Sequence, residues 1–186
     1  MTDIKDKFVF KIVVVGDTAV GKTSLIKKFT QGTFQEDYIK TIGAQLSSYE
    51  DKANGDKIEL FFWDIAGQDV FHFLRPAFYQ GSRGAIVVYS LEDSNHGKKS
   101  LEHIDEWHED IKDHCGVVPT ILLGNKVDLI DAEKLKEKKV LKLVNKQGFI
   151  GYYKTSAKTG EGVIDAFQAL IEVLYHKYKG LKHQKY

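Results

Sequence analysis

Gly16-Asp17-Thr18-Ala19-Val20-Gly21-Lys22-Thr23 places two glycines, a lysine and a hydroxyl at the spacing G-x-x-x-x-G-K-T. The chemistry that suits this spacing is capture of a phosphate chain. Glycines let the backbone turn so that successive N–H groups point inward. Lys22 can reach between the outer phosphates, and Thr23 can place its hydroxyl on magnesium. The flanks fit that role. Phe8-Val9-Phe10-Lys11-Ile12-Val13-Val14-Val15 reads as a strand, and Ser24-Leu25-Ile26-Lys27-Lys28-Phe29 reads as a helix. The helix N-terminus adds positive potential at the loop.

Two further groups of residues stand at predicted strand ends. Asp64 closes the apolar run that begins at Lys57 and is followed by Ile65-Ala66-Gly67-Gln68-Asp69. A carboxylate there can hold magnesium through water. Gly67 offers an N–H with no side chain to block a phosphate, and Gln68 carries the donor and acceptor needed to orient a water molecule. Alone, Asp-x-x-Gly would be an ordinary turn. Asn125-Lys126-Val127-Asp128 follows a later strand. A single carboxylate at Asp128 can accept both donors of a lactam beside an exocyclic amine, which favours guanine over adenine. Asn125 either ties this loop to the phosphate loop or meets the base edge, and the Lys126 stem can cover one face of the ring. Ser156-Ala157-Lys158 can add a backbone N–H toward the base oxygen. Phe34 either packs on the edge of the base or docks on the core.

The elements that must position these groups alternate. Gln45–Glu50 and Lys57–Asp64 read as strands joined at Asn54-Gly55, a turn that tolerates positive φ. Gly84–Ser90, Pro119–Gly124 and Gly151–Thr155 read as further strands. Leu101, Ile104, Trp107 and Ile111 form one helical stripe. Val140, Leu141 and Val144 form a second, and Val163, Phe167, Leu170, Ile171 and Leu174 a third. Strands alternating with helices predict a three-layer α/β domain with a mostly parallel sheet.

Composition narrows the classes. The chain of 186 residues suits one domain, and its formal charge of +1 gives no argument for nucleic acid as a partner. Cys115 is the one cysteine, so neither an internal disulfide nor a thiolate metal cage can form. No apolar run reaches membrane-spanning length, and residues 1–7 are polar, without the apolar core of a secretory signal. A cytoplasmic setting is expected. The basic stretch from His176 to Tyr186 reads as a solvated helix end or a weak contact for anionic lipid. It has no terminal cysteine, so stable prenyl anchoring is not expected as written.

Gly16–Thr23, Thr41, Asp64–Gln68, Asn125–Asp128 and Ser156–Lys158 stand together in the order and spacing of the Ras-like small GTPases. The chain resembles that superfamily from Phe8 to Tyr178. Thr41-Ile42-Gly43, Trp63–Gln68 and Arg75–Gly81 make it most similar to the Rab branch. The resemblance implies a P-loop G domain: a six-stranded, mostly parallel sheet with one antiparallel edge strand and five main flanking helices. It implies a GTP-binding domain over 8–179, with a polar extension at 1–7 and a short basic tail at 180–186. Mg²⁺ is the implied cofactor, with GTP and GDP as substrate and product. Thr23, Thr41 and, through water, Asp64 would serve the metal. Gln68, Lys22, Thr41 and Gly67 would serve hydrolysis. Gly16, Asp17, Thr18, Ala19, Val20, Gly21, Lys22, Thr23, Ser24, Phe34, Tyr38, Thr41, Gly67, Asn125, Lys126, Asp128, Ser156, Ala157 and Lys158 would bind nucleotide, Tyr38 lying over the phosphates.

Two segments, near 34–43 and 66–79, would change with the γ-phosphate and meet effector, exchange-factor and GTPase-activating proteins. A monomer acting in vesicle or membrane trafficking or related signalling is expected, cytoplasmic or peripheral at the cytoplasmic face of membranes. The alternative is a nucleotide-binding regulatory scaffold with negligible hydrolysis. Departures from the family pattern are Ala19 beside Thr18 where glycine is frequent, Asp69 after Gln68, and Ile39-Lys40 before Thr41.

Overall fold

A computed structural model of the chain describes residues 6–34, 41–67, 74–131 and 137–183. The elements run β1 (Lys7–Val15), α1 (Lys22–Gln31), β2 (Ala44–Ala53), β3 (Asp56–Ile65), α2 (Arg75–Tyr79) and β4 (Gly84–Ser90). They continue as α3 (Asn95–Glu102), α4 (Ile104–Cys115), β5 (Thr120–Asn125), α5 (Glu137–Gln147), β6 (Gly151–Thr155) and α6 (Val163–His183). One sheet of six strands has the order β2-β3-β1-β4-β5-β6. Only β2 is antiparallel to its neighbour, β3; the other pairings are parallel. The three-layer α/β fold with one antiparallel edge strand is therefore present.

The pleat of β1 explains why the sheet is covered twice. Phe8, Phe10, Ile12 and Val14 enter one core with Leu25, Ile26 and Phe29 of α1 and Phe167, Leu170 and Leu174 of α6. Val13 and Val15 enter the other, with Trp107, Ile111, Val140 and Val144. Alternation along a strand sends successive side chains to opposite faces. Phe29 stacks on Phe167 with ring centroids 4.5 Å apart, and Phe62 meets Phe167 edge-on at 5.4 Å. This trio clamps α1, and with it the phosphate loop, between β3 and α6.

Asn54 and Gly55 turn the β2–β3 hairpin with φ of 52° and 86°, the left-handed pair its sequence predicts. Beside that hairpin, Asp56 is buried and accepts hydrogen bonds from the Tyr175 hydroxyl at 2.8 Å and from Lys179 at 2.9 Å. The bonds from Lys179 and Tyr175 hold its carboxyl below the usual range, against the opposing effect of burial. Lys182 pairs with Asp6 one turn further on. α6 thus continues past Lys179 to His183, and the first residues of the expected tail are helical.

One local expectation differs. The stripe from Leu101 to Ile111 reads as one helix, but α3 and α4 meet at His103, so six α-helices are described instead of five main ones. Ser94 caps α3 early, accepting from the Gly97 amide at 3.0 Å, and His103 ends α3 and opens α4. Trp63 is half-buried on the second face of the sheet, where strict alternation places it with Phe61, and packs against the core that holds Trp107 and Val140. It packs on Phe78 of α2 at 5.7 Å, under the ammonium of Lys11.

Candidate functional site

The sheet order reverses direction at β1, with β3 on one side and β4 on the other. Ligands of open α/β sheets sit outside the carboxyl ends of strands at such a point. The loop from Gly16 to Gly21 occupies it. Gly16 has φ 139°, and a Cβ there would come within 2.1 Å of the Val88 carbonyl oxygen. Gly21 caps α1 with φ 102° and no side-chain bond, and the first turn of the helix carries no acid. The leading amides of α1 are therefore left for an external anion.

Lys22 is buried, and its ammonium donates to the carbonyls of Gly16 and Asp17 at 2.8 Å each. Burial pushes it down to about 8, against the opposing pull of Asp64 and Asp17. Thr23 follows. Its hydroxyl donates to Asp64 Oδ2 and lies 3.0 Å from the Thr41 hydroxyl. Thr41 Oγ1 is 3.5 Å from the same carboxylate oxygen. Asp64 Oδ1 is buried and has no partner. Burial pushes this carboxyl above its usual range, although Lys22 and both hydroxyls oppose the shift. A buried unsatisfied carboxylate oxygen beside two hydroxyls suits a hard cation completed by water and phosphate oxygens. Among the described residues no three His, Cys, Asp or Glu side chains converge elsewhere as a metal cage.

Gly67 closes the other side. Its missing Cβ would stand 2.4 Å from backbone atoms of Asp17 and Thr18, so only glycine permits this approach. The Ala66 amide donates to the Gly43 carbonyl at 2.8 Å, joining the ends of the two segments expected to respond to nucleotide.

The residues expected to read the base form a second group. Asn125 ties its loop to the phosphate loop: Nδ2 donates to the Val20 carbonyl at 2.9 Å. Its Oδ1 accepts from the Ala157 amide at 3.2 Å and from Thr155 at 3.3 Å. Three loops thereby meet at one buried amide. Lys126 adopts a left-handed φ of 68° and opens a 3₁₀ turn, Val127–Leu129, that leaves Asp128 exposed. Ser156 and Ala157 are buried and Lys158 is exposed. The Ser156 hydroxyl accepts from the Thr159 amide at 3.0 Å, holding this loop closed.

Other expected residues divide. Val20 is buried, Thr18 and Ser24 are half-buried, and Ala19 is exposed with a left-handed φ of 61°. Phe34 packs against the core that holds α1 and α6. Asp17 keeps its carbonyl on Lys22 but commits its carboxylate to α4: Trp107 Nε1 and His103 Nδ1 each lie 2.8 Å from it. Its charge is thereby drawn away from where a phosphate would sit. Tyr38, Gln68, Asp69 and Ile39-Lys40 lie outside the described residues.

Glu92, His96, His103 and Trp107 buttress the phosphate loop and are missed by motif reading. Their partners stand 34 to 90 residues away in the chain, so no window of sequence contains the pairs. The one local signal is the Glu92–His96 spacing of four.

Comparison with known proteins agrees with this geometry. The Ras family profile matches residues 11–176. The chain therefore belongs to the Ras family. Within it, the relatives place the chain in the Rab branch. Ras-related protein Rab-13 of Canis lupus familiaris and of Bos taurus are each 37% identical over 172 residues, covering 92% of this chain and 82% of the relative. Ypt/Rab-type GTPase ypt7 of Schizosaccharomyces pombe is 34% identical over 175 residues, covering 91% and 83%.

Proposed function

We propose that this protein is a magnesium-dependent GTP-binding switch that hydrolyses GTP with water to GDP and phosphate, over a domain spanning 8–179. One observation carries the reading. The uncapped N-terminus of α1, buried Lys22 and the unpaired Asp64 oxygen stand together outside the carboxyl ends of β1 and β3, a crevice with the makings of a triphosphate and cation site. Thr23 and Thr41 would hold magnesium directly and Asp64 through water. When bound, magnesium supplies neutralising charge at the outer phosphates. Lys22 and the amides from Asp17 to Ser24 orient the phosphate chain and stabilise charge on the transferred group. The Gly67 amide donates to the γ-phosphate, and Gln68 orients the attacking water. Asp128 would accept both donors of guanine, the Lys126 stem and Phe34 would border the base, the Ser156–Lys158 loop would turn a backbone N–H toward its oxygen, and Tyr38 would lie over the phosphates.

The partner surface follows from the same elements. Ile42 is 77% exposed and Leu46 is 51% exposed, beside half-buried Trp63 and Phe78. An apolar patch joined to phosphate-sensing residues suits effector, exchange-factor and activating proteins, in vesicle trafficking or related signalling at a cytoplasmic membrane face.

Release of phosphate from GTP, measured for the parent and Gln68→Leu, tests the reaction. The parent should turn over slowly and the variant more slowly still. Equal rates near background, with nucleotide still bound, would favour the scaffold reading. Asp128→Asn should weaken GTP binding and favour xanthine nucleotide, because the carboxylate no longer accepts two donors. Unchanged base preference would refute that assignment.

A further inference from the structure

The carbonyl of Thr18, at the crown of the phosphate loop, receives a side chain from outside every recognised motif. His96 Nε2 lies 2.8 Å from it. The other ring nitrogen, Nδ1, lies 2.9 Å from Glu92 Oε1. The second oxygen of Glu92 accepts from Lys126 at 2.9 Å. A continuous polar chain therefore runs from the phosphate loop through His96 and Glu92 to the lysine that flanks the base.

Glu92 is an ionised acceptor over ordinary pH: burial opposes its ionisation, but the bonds from Lys126 and Ser94 outweigh that and hold its carboxyl down at about 2. The ring of His96 therefore spans two acceptors on two different loops, and removing it deprives both the Thr18 carbonyl and one Glu92 oxygen of that partner.

We propose that His96 is a positioning residue that latches the phosphate loop to the base-reading loop and slows the release of bound nucleotide. The inference rests on the nucleotide-binding reading above. It acts through Thr18 and Glu92, not through contact with the ligand.

The test is dissociation of N-methylanthraniloyl-GDP in magnesium buffer on the whole chain. His96→Ala should release nucleotide about tenfold faster than the parent with the association rate unchanged, the value of one lost bond to a charged acceptor. His96→Gln, whose amide can still donate to one of the two acceptors, should restore part of the slow release. A residue that only supports the fold would lower the urea midpoint of His96→Ala without speeding release, and that result overturns the latch, as does release at the parent rate. Amide hydrogen exchange gives an independent reading: the phosphate loop should exchange faster in His96→Ala than in the parent, and equal exchange overturns the proposal. If the parent retains no GDP, the nucleotide reading fails, and the exchange rates still decide the tie between His96 and the loop.

Discussion

Asn125 offers the sharpest test of how the site is assembled, because one buried amide joins three loops. Asn125→Ala removes the donor to the Val20 carbonyl and the acceptor for the Ala157 amide. Thr155 can rotate its hydroxyl to another acceptor and adds little. Two buried backbone groups are then unsatisfied, at about 1–3 kcal/mol each. The expected loss of stability is about 2–6 kcal/mol. A chain of this length shifts by about 2–4 °C for each kcal/mol, so a mid-range loss lowers the melting midpoint by about 10 °C. Urea unfolding in a fixed, saturating excess of magnesium and GDP is the assay, since bound nucleotide itself stabilises the folded state. Asn125→Asp separates the two halves of the amide. It keeps the shape and the acceptor for Ala157 but turns an oxygen on the Val20 carbonyl. It should lose stability and release GDP faster, because the damage falls on the phosphate loop. A loss below about 0.5 kcal/mol for Asn125→Ala would refute the reasoning, since such a value is typical of a surface position.

Three more expectations concern single positions. Asp56 has its carboxyl held below the usual aspartate value near 3.8, so its contribution is complete above that range and is lost as pH falls through it. Asp56→Asn should lower stability at neutral pH and flatten the acid limb of a melting-midpoint profile, and an unchanged acid limb would count against the Tyr175–Lys179 anchor. Ala19 occupies a left-handed φ, so Ala19→Gly should gain about 0.5–1 kcal/mol in urea unfolding, the relief of strain exceeding the added freedom of the unfolded chain; a net loss would contradict it. Gly67→Ala forces a Cβ into the phosphate-loop backbone. It should leave GDP binding measurable but abolish the difference between GDP- and GTP-loaded protein in limited proteolysis, and a retained difference would argue against Gly67 as the point where the second segment meets the phosphate loop.

Much of this arrangement was legible because its signals are local. The phosphate loop advertises itself by residue type and spacing between a strand pattern and a helix pattern, and the hairpin by Asn54-Gly55. The same holds for β4 and β5, whose unbroken apolar runs reflect burial on both faces. What escaped depends on distance in the chain. The split at His103 leaves the apolar stripe intact, so periodicity cannot reveal it. Asp17 was legible as part of the loop but not as the partner of Trp107, which the fold brings in from 90 residues away. The role of Asn125 stayed divided in the sequence because only the packed structure places Val20 beside it.

The pinning of α6 has a practical corollary. The helix starts near the carboxyl ends of the strands, where the crevice lies, and finishes beside Asp56 and Asp6, at their amino ends. With 21 residues it covers about 31 Å at 1.5 Å per residue. A dye, bead or surface linker grafted beyond its last turn would depart from the far pole of the molecule. Immobilised that way, the protein would still present the crevice and the Ile42–Phe78 patch to soluble nucleotide and visiting proteins alike.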